Sequence, residues 1–468
     1  MIIVLYVMDS LRADFLSCYG HSRNTSPHID RLAQEGVLFT HAFAQSTWTR
    51  PSGASLLTSR YPSVHGLLTN DDALPGAVPT LAEELKRAGF KTVALSTIGN
   101  ISVDFGFGKG FDHFVALYKE EKVIKRRAVF KFNRLGWNKN NWDKKASDIQ
   151  PGHVAISTSE DINEFVYPFL QENKGSDLFI LIWSMDTHDP YFHRDPQMTL
   201  FCDSGDVWMY KDILKPHTPE EFERFKAMYE DMIYYNDHHL GALIGKLKDL
   251  DLFDQTFFIL TGDHGESFGE HGVHGHGGPP YDEQIRIPLI MKFPHRPFQG
   301  KVPGLAQHID LVPTILEVGG IKSNTMVPQG KSLLPLLRDR VPVNKLVMTE
   351  FRLREKTPKY LAVRTDDYKY IEARRTKFSI YRSMFRTLSP FYRTFFPQRF
   401  LFCLREDPEE RINLIKREKG IAKQLRVHLR TLERENKKAS IHLKKEKVKK
   451  TNLDKETAKQ LKALGYFD

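Results

Sequence analysis

The chain has 468 residues, of which 41% are hydrophobic and 27% charged, with a net charge of +10. That balance belongs to a folded globular protein and excludes a disordered, collagen-like or coiled-coil chain. The length suits one large domain with a smaller one, and no apolar run approaches the ~18 residues of a transmembrane helix.

The opening segment MIIVLYVMDS has neither a basic region nor a small-residue cleavage site, so it does not read as a signal peptide. Ile2–Met8 is instead a continuous β-rich apolar run, the pattern of a strand buried on both faces. Pro27–Glu35 reads as a helix, Val37–Ala44 as extended chain, and Pro51–Thr58 as a short helix opened by proline. In Thr80–Ala88, Thr80 with Glu83 three residues on forms a capping box. Thr92–Ser96 follows as a strand. Asp161–Glu172 and Glu220–Leu250 are long helical patterns, while Leu178–Trp183 and Thr256–Leu260 are buried strands. Strands alternating with helices predict a mainly parallel sheet covered on both faces.

After about residue 335 the pattern changes to short strands, Leu346–Glu350, Tyr360–Arg364 and Tyr368–Glu372, separated by turn signals. The expected division is a large α/β domain over 1–335, a small antiparallel-sheet subdomain over 336–430, and a Lys-rich helical tail over 431–468. Residues 437–460 hold nine lysines against Glu446, Asp454 and Glu456, so most of the net charge sits there. Within 373–405 there is no acid but eight basic residues, interleaved with Phe378, Tyr381, Phe385, Phe391, Tyr392, Phe395 and Phe396. This insert is either a local hairpin with an aromatic core or a basic-aromatic surface for an anionic polymer or membrane face. Neither stretch resembles a nucleic-acid module, so no nucleic-acid partner is expected. Cys18, Cys202 and Cys403 are few and far apart, which suits a reducing, cytoplasmic setting, with contact to a membrane face left open.

In open α/β sheets ligands bind beyond the carboxyl ends of the strands. Two apolar runs end in acid there: Ile2–Met8 runs into Asp9, and Thr256–Leu260 runs into Thr261-Gly262-Asp263-His264-Gly265-Glu266. Carboxylates with an imidazole suit a divalent metal, although an acid after a strand also serves as a helix cap or turn. Thr49 precedes the proline-started helix, at the positive end of its dipole. It reads as a helix cap or as a hydroxyl placed where backbone N–H groups can hold an oxyanion.

The segments VMDSLRADFLSCYG, TRPSGASLLTSRYPSVHG, GFGKGFDHF, THDPY, TGDHGESFGEHG, YDEQIRIPLIMKFP, QHIDLVPTIL, GKSLLPLL and LDKETAKQLKALGY resemble, in order, those of the sulfatase family of the alkaline phosphatase superfamily. The resemblance implies a large mixed sheet between helices, followed by a smaller domain with a four-stranded antiparallel sheet. The family signature has Cys, or sometimes Ser, converted to formylglycine, then x-Pro-Ser-Arg. Here Thr49 takes that position, followed by Arg50, Pro51, Ser52 and Gly53. Threonine cannot become that aldehyde and the supporting Arg is absent, so no formylglycine is expected.

The family's paired Asp is reduced to Asp9 followed by Ser10. By resemblance to the threonine-nucleophile branch, Asp9, Thr49, Asp263 and His264 would hold one divalent ion (Mn, Zn, Mg or Ca). His188 matches the substrate-side histidine, His276 stands where sulfatases carry a lysine, and one or the other is the candidate catalytic acid that protonates the leaving alkoxide. Arg50, Ser52 and Asn100 are expected on the substrate side. The implied function is hydrolysis of a small-molecule or polymer-borne sulfuric or phosphoric ester. Phosphate monoesters, diesters or phosphonate esters are preferred slightly over sulfate, because a threonine ester must be discharged by displacement at the central atom. A phosphoglycerol- or phosphoethanolamine-type transferase and a catalytically silent binding protein are the alternatives.

Overall fold

A computed structural model describes residues 1–126, 129–131, 153–195, 197–202, 218–354, 357, 359–374, 399–440, 453–464 and 466. The aromatic heart of the 373–405 insert and the centre of the 437–460 tail lie outside the described residues.

Nine strands form the main sheet: β1 (Ile2–Met8), β2 (Val37–Phe43), β3 (Lys91–Ser96), β4 (His113–Ala116), β5 (Leu178–Ser184), β6 (Thr256–Gly262), β7 (Arg286–Ile287), β8 (Leu289–Lys292) and β9 (Gly300–Gln307). Their order is β7-β2-β8-β6-β1-β5-β3-β4, with β9 also pairing with β2. The five strands β6, β1, β5, β3 and β4 run parallel, while β8 is antiparallel to both its neighbours, so the sheet is mixed.

β1 lies at the centre, and its residues divide by parity. Ile3, Leu5 and Val7 join the core under the helices carrying Leu56, Leu85 and Leu311. Ile2, Val4, Tyr6 and Met8 join the opposite core with Ile162, Val166 and Ile233. Two buried faces are the reason the strand reads as unbroken apolar sequence.

The second sheet, four-stranded and antiparallel, runs β10 (Val347–Phe351), β11 (Lys359–Arg364), β12 (Tyr368–Arg374) and β13 (Arg399–Cys403). One face packs Leu361, Val363, Tyr370 and Leu401 against Leu425 and Leu429 of the helix Lys419–Ser440. The two ends of the insert are sheet residues, Arg374 and Arg399–Cys403, and Arg374 is ion-paired to Glu372 and Glu433.

The Thr80–Glu83 capping box is present. The helix expected from Pro51 starts at Thr49 instead, with Trp48 as its N-cap residue and no side-chain cap bond. Thr49 is therefore not a cap. Gly53 allows this helix its close approach to the sheet, since a Cβ there would meet the Trp183 ring and Ile101 at 2.9 Å. Among the described residues no helix is long and apolar enough to cross a membrane.

Candidate active site

The carboxyl ends of β1 and β6 are hydrogen-bonded neighbours in parallel register, Met8 opposite Gly262. The next residue of each is acidic. Asp9 and Asp263 therefore meet at the top of the sheet, both fully buried. Ser10 turns the chain with φ 61°. Its N–H then donates to Asp263 Oδ1 at 2.9 Å, and the His264 N–H donates to the same oxygen at 2.8 Å. Asp9 Oδ2 accepts from Trp183 Nε1 at 3.0 Å.

His264 is the hub. Its Nδ1 is 2.8 Å from the Gly265 carbonyl, which assigns the proton there and leaves Nε2 as an acceptor facing the cluster. That Nε2 lies 3.4 Å from Thr49 Oγ1, 3.4 Å from Asp263 Oδ2 and 3.7 Å from Asp9 Oδ1. All four side chains are inaccessible to solvent, and one ligand atom each from Asp9, Asp263 and His264 falls within 4.8 Å of the others. Asp263 Oδ2 has no hydrogen-bond donor. Burial and the Asp9 charge push the Asp263 carboxyl well above its usual range. Burial, and then His276, lowers His264 to about 3. Two buried carboxylates and an unprotonated imidazole nitrogen, with one oxygen unmatched, fit a divalent cation. The residues expected to ligate a metal are brought together.

A second group stands beside the first. The rings of His264, His276 and His188 form a row with centroid spacings of 4.7 and 4.8 Å. His276 Nδ1 lies 3.2 Å from Glu266 Oε2, and that oxygen also accepts from Tyr191 at 2.8 Å. His188 Nδ1 donates to the Asp189 carbonyl at 2.6 Å. Both Nε2 atoms meet the hydroxyl of Tyr466, at 2.9 Å from His188 and 3.1 Å from His276. Burial alone would lower His188, but Asp189 and Asp9 outweigh it and raise the ring. Burial and then His188 lower His276 to about 4. Burial pushes Glu266 up to about 7.

The residues expected on the substrate side are fully buried and bonded to one another or to neighbouring backbone. Arg50 is fully buried, with its guanidinium carbon 3.9 Å from the Phe105 ring centroid. It donates to Asn100 Oδ1 at 2.9 Å and to the Asn70 carbonyl at 2.7 Å. Ser52 Oγ donates to the Asp263 carbonyl at 2.5 Å and lies 3.3 Å from His308 Nδ1. Ser52 thus ties the Thr49 helix to the strand end that carries Asp263.

Three contributors escaped the sequence reading. Tyr466 belongs to the closing LDKETAKQLKALGY segment, but nothing local marks it as a site residue. Trp183 reads only as the last apolar residue of a strand. Glu266 lies two residues beyond His264 in the same motif, and that spacing was the available signal.

The Sulfatase family model matches residues 2–321, and the model of the N-sulphoglucosamine sulphohydrolase C-terminal region matches 269–435. An ulvan-active sulfatase of Formosa agariphila is 27% identical over 394 residues, covering 79% of this chain and 72% of that protein. An arylsulfatase of Clostridium perfringens is 22% identical over 475 residues, covering 89% and 90%. The crystal structure of the phosphonate monoester hydrolase of Agrobacterium radiobacter superposes with a TM-score of 0.70 at 19% identity, covering 93% of this chain and 95% of that one. With a family match across the whole main sheet and both acid-bearing strand ends inside it, the chain belongs to the sulfatase family and is a hydrolase of sulfuric or phosphoric esters.

Proposed function

We propose that the protein is a metal-dependent hydrolase in which Thr49 is the covalent nucleophile and a phosphate monoester, phosphate diester or phosphonate ester is the preferred substrate. The observation that carries this reading is Thr49 Oγ1, 3.4 Å from His264 Nε2, in the first turn of its helix and without a capping bond. A divalent ion (Mn, Zn, Mg or Ca) held by Asp9, Asp263, His264 and the Thr49 oxygen would lower the hydroxyl pKa and neutralise charge on the transferring group.

The protein's own groups supply the rest. The helix dipole at Thr49 favours an anionic ester. Attack by the Thr49 oxygen breaks the bond from phosphorus to the alcohol oxygen and leaves a threonine ester. His188, whose ring Asp189 and Asp9 raise against burial, is the candidate to hold a proton toward the departing oxygen. Water then attacks phosphorus in line and releases the threonine hydroxyl. Threonine lacks the second hydroxyl through which a formylglycine hydrate expels sulfate, and this favours phosphorus over sulfur.

Reconstitution with each metal, followed by assay on 4-nitrophenyl phosphate, bis(4-nitrophenyl) phosphate, 4-nitrophenyl phenylphosphonate and 4-nitrophenyl sulfate, tests the reading. Higher kcat/KM on a phosphorus ester supports it. Turnover of the sulfate alone overturns the substrate preference and favours the second reading, a sulfate ester, which the names of the ulvan-active and aryl sulfatase relatives support.

A further inference from the structure

His193 joins a carboxylate to a thiol. Its Nε2 donates to Asp231 Oδ2 at 3.2 Å, and the same ring forms a side-chain hydrogen bond with Cys202. Asp231 belongs to the helix Pro219–Asp249 and takes three backbone N–H bonds from the loop that carries the cysteine. Leu200 and Phe201 donate to its Oδ1 at 2.8 and 2.9 Å, and Cys202 to its Oδ2 at 3.0 Å. The carboxylate therefore fixes both the ring and the backbone that presents the sulfur. A thiol, an imidazole within hydrogen-bond reach and a carboxylate orienting that imidazole make up the arrangement that activates a cysteine. None of the three belongs to the metal-type cluster or to the histidine row.

The other two cysteines have different partners. Cys18 shares a hydrogen bond with Asp30, and Cys403 one with Tyr368. Burial and Asp30 push the Cys18 thiol far up, away from reactivity. At His193 burial acts downward, but Asp231 and Cys202 outweigh it and hold the ring at about 9, so an imidazolium faces the Cys202 sulfur. All three thiols are outside any disulfide.

Enclosure selects the reagent. Cys202 is only 6% exposed, too covered for an acyl or glycosyl group. Two residues away Leu200 is 58% exposed, and the His193 side chain is 10% exposed. The sulfur thus lies one layer beneath the surface, within reach of an oxidant close to water in size. The same segment leads back to the active site. Arg194, next to His193, donates to the carbonyls of Asp186 and His188 at 3.2 Å each and of Met185 at 3.5 Å. It clasps the turn that carries His188.

We propose that Cys202 is an oxidation site for a peroxide, activated by His193 and Asp231, and that its oxidation disturbs the loop carrying His188. The thiolate sulfur attacks one peroxide oxygen, forming an S–O bond as the O–O bond breaks. Sulfur gives up two electrons, hydroxide departs, and the proton held by His193 converts it to water. The product is a sulfenic acid beside a neutral imidazole. The thiolate–imidazolium attraction is then gone, and an added oxygen crowds a closed pocket beside Arg194.

The test uses the full-length protein with hydrogen peroxide and dimedone, which traps sulfenic acids, followed by peptide mass spectrometry. Cys202 should be trapped at least about 10-fold faster than Cys18 or Cys403. Equal trapping of the three overturns the proposal. Alkylation by iodoacetamide at pH 7 should slow at Cys202 by about 10-fold in His193→Gln. That gap should close near pH ~9.5, where an ordinary thiol ionises unaided. No gap at pH 7, or a gap that persists at the higher pH, also overturns it, the second because access and not activation would be the cause. Peroxide should reduce hydrolysis of 4-nitrophenyl phosphate by wild type, with recovery in dithiothreitol, and should leave Cys202→Ser unaffected. Full turnover in oxidised wild type overturns the link to the His188 loop. This last arm alone rests on the hydrolase reading, whose own failure would show as no turnover before peroxide is added.

Discussion

Trp183 Nε1 donates to Asp9 Oδ2 at 3.0 Å, and the two residues come from adjacent strands whose register places Val7 opposite Trp183. The indole thus fixes the rotation of a carboxylate that closes one side of the cluster. Trp183→Phe keeps most of the ring's packing and removes only the donor. Metal affinity in this variant should fall by about 10-fold, as measured by competition with a chromophoric chelator, and kcat at saturating metal should fall much less. Unchanged affinity would show that Asp9 is oriented without the indole.

Asp263 joins the two halves of the site, since its Oδ1 takes backbone N–H bonds from Ser10 and His264 while Oδ2 faces the cluster unmatched. Asp263→Asn retains Oδ1 and removes the charge. Elemental analysis after dialysis should then find less than one tenth of the wild-type metal, and turnover should be lost with it. Chelation of wild type should lower its melting temperature, because a ligand bound only by the folded state stabilises it. The same chelator should leave the variant's melting temperature unmoved.

The Thr49 hydroxyl makes no capping bond, so its removal is expected to cost less stability than the ~1 kcal/mol typical of a lost N-cap. Thr49→Ala should unfold in urea at the wild-type midpoint yet lose at least about 1000-fold in kcat. Thr49→Ser should retain measurable turnover. Wild-type rates in the alanine variant would remove Thr49 from the mechanism.

His65 provides a pH prediction away from the cluster. It is fully buried, accepts from the Leu67 N–H at 3.2 Å and lies 3.2 Å from Ser55 Oγ. Burial lowers it from 6.5 to about 3. Between those values the unfolded chain takes up a proton that the folded protein refuses. Stability from this group is therefore complete above pH 6.5 and declines as pH falls toward 3, by on the order of a few kcal/mol. Urea unfolding at pH 7 and pH 4.5 should show a smaller difference in His65→Gln than in wild type. An equal difference would place the acid sensitivity elsewhere.

The strands and the metal-type cluster were legible because their signals are local. β1 and β6 read as apolar runs, and the acid after each run marks the carboxyl end of a parallel strand. The histidine row was partly legible: His188 and His276 carried motif signals and Glu266 lay in the same motif as Asp263 and His264, but nothing marked Tyr466 as a site residue. The Tyr466 contacts join positions 190 and 278 residues apart, and no periodicity or spacing reports on such a pairing. Arg50 and Asn100 were legible only as polar residues in two separate segments; their mutual hydrogen bond and the stacking of Arg50 on Phe105 join distant positions.

The position of β1 has a consequence for synthesis. Its neighbours on either side are Leu178–Ser184 and Thr256–Gly262, and both its faces are apolar. A ribosome working at ~5–20 residues per second takes roughly 10–50 s to pass from the first of these strands to the last. Until Leu178–Ser184 is made the centre of the future sheet has two unpaired edges, and until Thr256–Gly262 follows it has one. The expression hazard of this protein therefore lies in Ile2–Met8 emerging early, and slower elongation or a shortage of holdase chaperones should reduce soluble yield, even with an unchanged mature fold.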